Sequence, residues 1–540
     1  MLVNSKIMIG GIMGGIGSSR MTLLQRQVLL PLMQSRSINW RRSMSSMSSS
    51  NNNIEWKQDS AYINGEWISS SSTKETFDVF DPATENVIAT LPDMGCIETK
   101  LAIDAADTAF RNSEWKNKLA KERCEILRNI YLKHIEYESE LATLLALESG
   151  KPYTEAVGEI RYGASFFEWF AEEAKRLEGT IIPEPQQGRK ILSMKEAVGV
   201  CGFVTPWNFP NAMLARKVAP ALAAGCTCVI KPAPETPLST LALCQIMEEA
   251  GLTIPGVVNV VTSDRSTKDV GLALTSDDRV RKISFTGSTQ VGKLLLQQSA
   301  NTVKKVSMEL GGDAPFIVFG EDTTSLKEAI DGLMVAKFRN SGQTCVAANR
   351  IYVQSNIYDE FADLLTNRVQ TSLKVGRYDE PNVNIGPLIN RKAVAKVHAF
   401  VQDAKNNGAQ VMVGGHTLEK ENGPCFYAPT VLKLPDCSKN GIEEVFGPVC
   451  PLIKFDTEEE VIEMANDTTS GLAAYVYTAN LGRIFRLSKS LQYGMIGINT
   501  GIMSSEVTPF GGIKHSGLGR EGSKYGIDEY THIKTITIQH

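Results

Sequence analysis

A cysteine and a glutamate define the chemistry open to this chain. Cys345 follows Gly342-Gln343-Thr344, a run too polar and glycine-rich for a core strand, so the backbone can turn there and present the sulfur. Upstream, Met308-Glu309-Leu310-Gly311-Gly312 sets one carboxylate between apolar neighbours, just before two glycines that end its strand or turn. A nucleophilic thiol and a carboxylate able to activate water are the two halves of a covalent acyl-transfer cycle. A cysteine taken alone is more often a small buried hydrophobe, so the assignment depends on what surrounds the pair.

The elements that must position them show as an alternation. Strands are expected at Val200 to Thr205, Thr227 to Ile230, Val257 to Val261 and Lys282 to Phe285, with helices around Ala212 to Ala224 and Leu238 to Ala250 between them. Such repetition predicts an α/β fold on a parallel, doubly wound sheet, with its ligand crevice at the carboxyl ends of the strands. The turn Trp207-Asn208 falls at one such end. At another, Phe285-Thr286-Gly287-Ser288-Thr289-Gln290-Val291-Gly292 leaves a strand and opens the helix Gln290 to Ala300. Free backbone N–H groups and the dipole of that helix start suit a pyrophosphate, although a plain strand-to-helix turn would use the same residues. Earlier, Ile126, Leu127, Ile130, Tyr131, His134 and Ile135 recur at helical spacing within Lys121 to Glu148, and a second helix is expected from Tyr153 to Leu177. His134 reads as a packed histidine rather than a ligand.

At 540 residues the chain exceeds one core and should divide into two or three lobes. A hydrophobic content of 42%, 21% charged residues and a net charge of −4 describe an ordinary globular protein with no call for nucleic acid, and no run reaches the ~20 apolar residues of a membrane span. Ten cysteines lack any C-x-x-C spacing, which argues for no metal and a reducing compartment. From Met1 to Ile54 there is no Asp or Glu, while Lys6, Arg20, Arg26, Arg36, Arg41 and Arg42 are present and serine accumulates from Ser43 to Ser50. This is the composition of a transit peptide and predicts the mitochondrial matrix; a start at Met44 would leave a cytoplasmic protein.

Four segments carry a family resemblance. Phe203-Val204-Thr205-Pro206-Trp207-Asn208-Phe209-Pro210, Glu309-Leu310-Gly311-Gly312, Gly342-Gln343-Thr344-Cys345 and Glu444-Val445-Phe446-Gly447-Pro448 resemble the aldehyde dehydrogenase superfamily in its usual order, from about residue 57 onward. Composition marks 1–53 as a disordered targeting leader, and the resemblance implies a dinucleotide-binding domain from 54–184 and 200–308, an α/β catalytic domain from 309–510, and a β oligomerisation arm from 185–199 and 511–540. It implies Cys345 as nucleophile, Glu309 as base for hydrolysis and Asn208 as oxyanion donor. The cofactor, NAD or NADP, would lie against Trp207, Arg216, Lys231, Pro234, Gly287, Ser288, Thr289, Gly292, Glu444 and Phe446. Relatives that prefer NAD commonly carry an acid three residues after the Lys231 position; Pro234 removes that repulsion of a 2′-phosphate, so NADP should be accepted and even preferred, unless Glu235 swings into the vacated place.

Within the family the resemblance is closest to succinate-semialdehyde dehydrogenases. Leu214-Ala215-Arg216-Lys217, Lys337-Phe338-Arg339-Asn340 and the loop Ile502-Met503-Ser504-Ser505 match the segments that hold the substrate carboxylate there, which puts Arg216, Arg339 and Ser504 on it. Glutarate semialdehyde, one methylene longer, fits the same donors, and a neutral aldehyde would need neither arginine. Several organellar relatives carry a second cysteine two residues after the nucleophile; Ala347 stands there, so no disulfide switch of that kind is expected. The period-two stretch Thr535-Ile536-Thr537-Ile538 reads as an edge strand, and the resemblance implies a homodimer or homotetramer.

Overall fold

The computed structural model describes residues 55–112, 114–320, 325–435 and 444–539. The leader expected over 1–53 lies outside them. Five parallel strands form the heart of the first sheet, in the order Lys305–Glu309, Val280–Thr286, Val200–Val204, Thr227–Lys231 and Val258–Val260. Antiparallel edges cap both sides: Gly517–Leu518 beyond the first of these, and the hairpin Ala61–Ile63 with Glu66–Ile68 beyond the last. The central strands are buried on both faces, which is why they read as near-continuous apolar runs.

Strand order reverses at Val200–Val204, whose neighbours lead off in opposite chain directions. A crevice opens at the carboxyl end of such a switch point. The residues leaving those strand ends are Thr205 to Asn208 on one side and Gly287-Ser288 on the other.

The helix Pro210–Ala224 follows directly. Proline at its first position supplies a helical φ where no N–H partner is needed, and Gly225 ends it with φ 91°. All of its residues are buried, Arg216 and Lys217 included.

A second sheet of seven strands, Gln410–Val413, Thr430–Lys433, Val449–Phe455, Ala348–Gln354, Ala314–Val318, Ala473–Tyr477 and Met495–Ile498, is parallel except for its first strand. It carries the nucleophile on the segment entering Ala348–Gln354. A third, antiparallel sheet joins Thr180–Ile182, Arg189–Ala197 and Thr531–Gln539.

Several expectations need correction. Residues 511–530 do not belong to the arm: Gly517–Leu518 hydrogen-bonds to Met308 and Glu309 in the first sheet, and only Thr531–Gln539 pairs with the arm strand. The arm also starts earlier, at Thr180. Glu309, set at the start of the catalytic division, ends a strand of the first sheet. The segment Lys121 to Glu148 breaks at Tyr137 into helices Ala120–Glu136 and Glu138–Ser149, and the buried stripe runs through Leu127, Ile130 and His134 while Ile135 faces out. A further helix, Thr267–Ser276, was not foreseen.

Candidate active site

Three successive residues with positive φ bend the chain before the nucleophile: Asn340 (50°), Ser341 (54°) and Gly342 (75°). Left-handed geometry costs a non-glycine residue about 1–2 kcal/mol, so the bend must be over-determined by its surroundings. It is. Asn340 N donates to Glu155 Oε2 at 2.7 Å and Ser341 Oγ to Gly386 O at 2.8 Å. Gln343 acts as a staple, its amide donating to Asn340 O and Pro387 O and accepting from Ile389 N at 2.9 Å. Gly342 is also required sterically, since a Cβ there would stand 2.2 Å from Gly447 O. Cys345 emerges half-buried from this loop.

Asn208 faces the same loop. Its Nδ2 donates to Gln343 O at 2.9 Å, which fixes the amide orientation because a carbonyl can only accept. A primary amide carries two hydrogens, so one remains uncommitted. Asn340 Nδ2 bridges Asn208 O and Gln343 O at 3.1 and 3.2 Å, locking the Trp207-Asn208 turn to the Cys345 loop.

The ionisable groups here are strongly perturbed. Burial pushes the Cys345 thiol up to about 11, with Arg216 pulling it down and Glu309 pushing it up. Glu309 is 3% exposed and both its oxygens lack a hydrogen-bond partner. Burial, and then the Glu521 carboxylate, raise its pKa well above the ordinary value. A buried carboxyl with unused oxygens has hydrogen-bonding capacity for a small polar partner such as water.

Arg216 is 1% exposed, ion-paired through Nε with Glu521 and stacked 4.2 Å from the Phe510 ring centroid. Lys217 pairs with the other oxygen of Glu521. Burial alone would raise the Glu521 carboxyl, but these two cations hold it below its usual range. Nη1 and Nη2 of Arg216 are buried without hydrogen-bond partners. Its charge reaches Glu309 and Cys345, so its surroundings are those of the thiol and carboxylate. Arg339 is half-buried, 5.6 Å over the Phe209 ring, with no ion-pair partner among the described residues. Ser504 is half-buried; neighbouring Ser505 is engaged with Thr508 at 2.9 and 3.3 Å, which leaves the Ser504 hydroxyl as the loop's available donor. Glu521, Lys217 and Phe510 were not singled out as site residues, and no local spacing marks them: Glu521 meets Lys217 across a separation of 304 positions.

The crevice fits a dinucleotide. Ser288 caps the helix Thr289–Ser299, no acidic residue occupies the helix's first turn, and Gly292 lets it close on Leu310, whose Cδ2 would stand 2.3 Å from a Cβ. A Cβ at Gly311 would come within 3.0 Å of Glu444 Oε2 and 3.2 Å of Thr289 Oγ1, so three elements converge on one backbone cradle. Lys231 is 2% exposed, its amine donates to Pro232 O at 3.0 Å, and burial brings it down to about 8 against the pull of Glu235. Pro234 and Glu235 are both half-buried beside it. Glu444 Oε1 accepts from Gly312 N at 3.3 Å, and burial pushes its carboxyl up to about 7. Trp207 and Phe446 meet edge to face with centroids 5.5 Å apart.

A dinucleotide crevice at a switch point, facing a strained loop that presents a thiol beside a buried carboxyl, defines an α/β enzyme of the covalent, cysteine-dependent kind. Residues 67–536 match the aldehyde dehydrogenase family, and the chain belongs to it, as an NAD(P)-dependent aldehyde dehydrogenase. It is 51% identical over 479 residues to the glutarate-semialdehyde dehydrogenase of Pseudomonas putida, covering 88% of this chain and 97% of that one. It is 51% identical over 481 residues to the mitochondrial succinate-semialdehyde dehydrogenase of Arabidopsis thaliana, covering 88% of each. The crystal structure of an Escherichia coli NADP-dependent enzyme superposes with a TM-score of 0.86 at 50% identity, over 90% of this chain and 98% of the other.

Proposed function

We propose that this enzyme oxidises succinate semialdehyde to succinate. The observation that carries the reading is the pair of guanidinium groups at the thiol: Arg216, buried with two nitrogens that hydrogen-bond to nothing among the described residues, and Arg339, which forms no ion pair among them. A neutral aldehyde would gain nothing from either, whereas a carboxylate satisfies both. Glutarate semialdehyde is the second reading, favoured by the Pseudomonas putida relative.

In this reading Cys345 attacks the aldehyde as thiolate, and the resulting oxyanion lies between the second hydrogen of Asn208 Nδ2 and the Cys345 backbone N–H. Bound NAD(P) would supply the hydride acceptor and would be held by Lys231, Gly287 to Thr289, Gly292 and Glu444, with Trp207, Pro234 and Phe446 walling the crevice. Oxidation leaves a thioester on Cys345 Sγ. Glu309, once ionised, takes a proton from water, which attacks the thioester and frees the acid and the thiol. Pro234 and the buried amine of Lys231 favour acceptance of NADP, and the Escherichia coli neighbour is NADP-dependent.

The composition of 1–53 and the mitochondrial Arabidopsis relative support a mitochondrial location. Ile181 (76% exposed) and Ile533 (70%) on the arm sheet favour burial against a second copy in a homodimer or homotetramer. The divisions that fit the sheets are a cofactor domain, a catalytic domain and an arm of Thr180–Ile182, Arg189–Ala197 and Thr531–Gln539.

Steady-state kinetics with succinate semialdehyde, glutarate semialdehyde and butanal, each with NAD and NADP, test the reading. The C4 semialdehyde should have the highest kcat/KM by about tenfold or more over butanal; equal values for the acid and butanal would refute it.

A further inference from the structure

Asn208 is held by a set of ionisable side chains that the reaction itself does not use. Glu155 and Glu159 lie four residues apart on the helix Tyr153–Glu173 and share one face, and Lys151 reaches the same face from just before the helix start. That face looks at both catalytic loops. Lys151 Nζ, on a side chain with no exposure, donates to Asn208 O at 2.9 Å, pairs with Glu159 Oε2 and sits 4.1 Å over the Phe209 ring. Glu159 Oε1 accepts from Asn211 N and Ala212 N at 3.0 and 3.2 Å, in the first turn of the next catalytic helix. Glu155 takes the Asn340 N–H, at the first left-handed residue before the nucleophile.

One helix face thus grips the oxyanion turn at its carbonyl, the following helix at its free N–H groups, and the cysteine loop at its bend. A salt bridge with no exposure on either side is a poor stabiliser, because desolvation cancels most of its Coulombic gain. Its retention calls for another use, and each of the two ions here spends its remaining hydrogen-bonding capacity on a backbone group next to a catalytic residue.

We propose that Lys151 and Glu159, with Glu155, are positioning residues that set the distance between the Asn208 amide and Cys345. Lys151 fixes the Asn208 backbone, Glu159 fixes the turn after it, and Glu155 fixes the cysteine loop against the same helix. Two fixed points on one rigid rod hold the oxyanion site to a few tenths of an ångström, and a misplacement near 1 Å costs about a hundredfold in rate. The inference rests on Asn208 being the oxyanion donor.

The test is a double-mutant cycle read by kcat and KM. Lys151→Met should lower kcat about ten- to a hundredfold while leaving KM for aldehyde and the Kd for NADP within about threefold. In an Asn208→Ala background the same substitution should cost less than about threefold, because the group it positions is already gone. Glu155→Ala, at a half-buried position, should behave likewise and keeps the test open if Lys151→Met does not fold. Full additivity in the cycle, or a loss residing wholly in KM, overturns the proposal while leaving the role of Asn208 intact. A near-normal rate for Asn208→Ala alone instead overturns the oxyanion reading beneath it.

Discussion

Arg339→Met separates recognition of the substrate's charge from the chemistry more cleanly than any change at Arg216. Arg216 is 1% exposed and shares Glu521 with Lys217, so removing it strips one cation from a buried carboxylate, a loss of about 3–5 kcal/mol in comparable sites. It also raises Glu309 further, since Arg216, together with Lys217 and Arg520, opposes the Glu521 charge there. Every aldehyde would suffer. Arg339 has no acidic partner among the described residues and is half-buried, so its loss should change stability by less than about 1 kcal/mol. A hydrogen bond to a charged group contributes about 1.5–3 kcal/mol, and about 1.4 kcal/mol is a factor of ten. Arg339→Met should therefore lower kcat/KM for succinate semialdehyde by about ten- to 150-fold and for butanal by less than about threefold. The assay is initial-rate formation of reduced coenzyme at saturating cofactor, with a thermal melt on the same sample. Equal losses on both aldehydes, with an unchanged melting temperature, would refute Arg339 as a carboxylate receptor.

Three further outcomes follow from the site. Glu309→Gln keeps the buried shape but cannot take a proton from water, so rapid mixing should show about one equivalent of reduced coenzyme per Cys345, then a near halt; steady turnover at the normal rate would remove Glu309 from hydrolysis. Lys231 is charged below about 8 and loses its charge above it; the affinity for NADP should weaken as pH rises from 8 to 9, by up to about tenfold, while that for NAD changes less, and parallel profiles would exclude contact with the 2′-phosphate. Peroxide treatment followed by peptide mapping should recover no disulfide involving Cys345, because Ala347 stands where a resolving thiol would be; one mapped bridge to that sulfur contradicts this.

The electrostatics impose an order on catalysis. Burial raises the pKa of both the Cys345 thiol and the Glu309 carboxyl, and the Glu309 charge raises the thiol further, so a fully charged pair is the costliest state of the site. Arg216 is the one group that favours both anions. Ionisation of Cys345 for attack, with Glu309 still protonated, is accordingly easier than ionisation of both. Once the sulfur is acylated its charge is gone, and Glu309 can ionise to serve hydrolysis. Activity should rise with pH above neutrality, since both reactive forms are the deprotonated ones and both pKa values are raised.

What the sequence showed of this arrangement depended on how locally each part is encoded. The strands Val200–Val204 and Thr227–Lys231 are buried on both faces and announce themselves as apolar runs, so the sheet and its crevice were legible. The bend before Cys345 was legible for a similar reason, because Gly342 and its polar neighbours fit no core strand. Gly517–Leu518 was not, since a two-residue strand has no period; it exists because Met308 and Glu309 offer it a ladder. Lys151 and Glu159 look like solvated charges on a helix whose other face is aromatic, and only their contacts with Asn208, Asn211 and Ala212 show that they are buried between two loops. A charged residue every fourth position, on the side of a helix that also carries Ala156 and Ile160 into the core, is the one local sign of such a clamp. It conflicts with the apolar period around it, and a conflict of that kind marks a position where function rather than packing chose the residue.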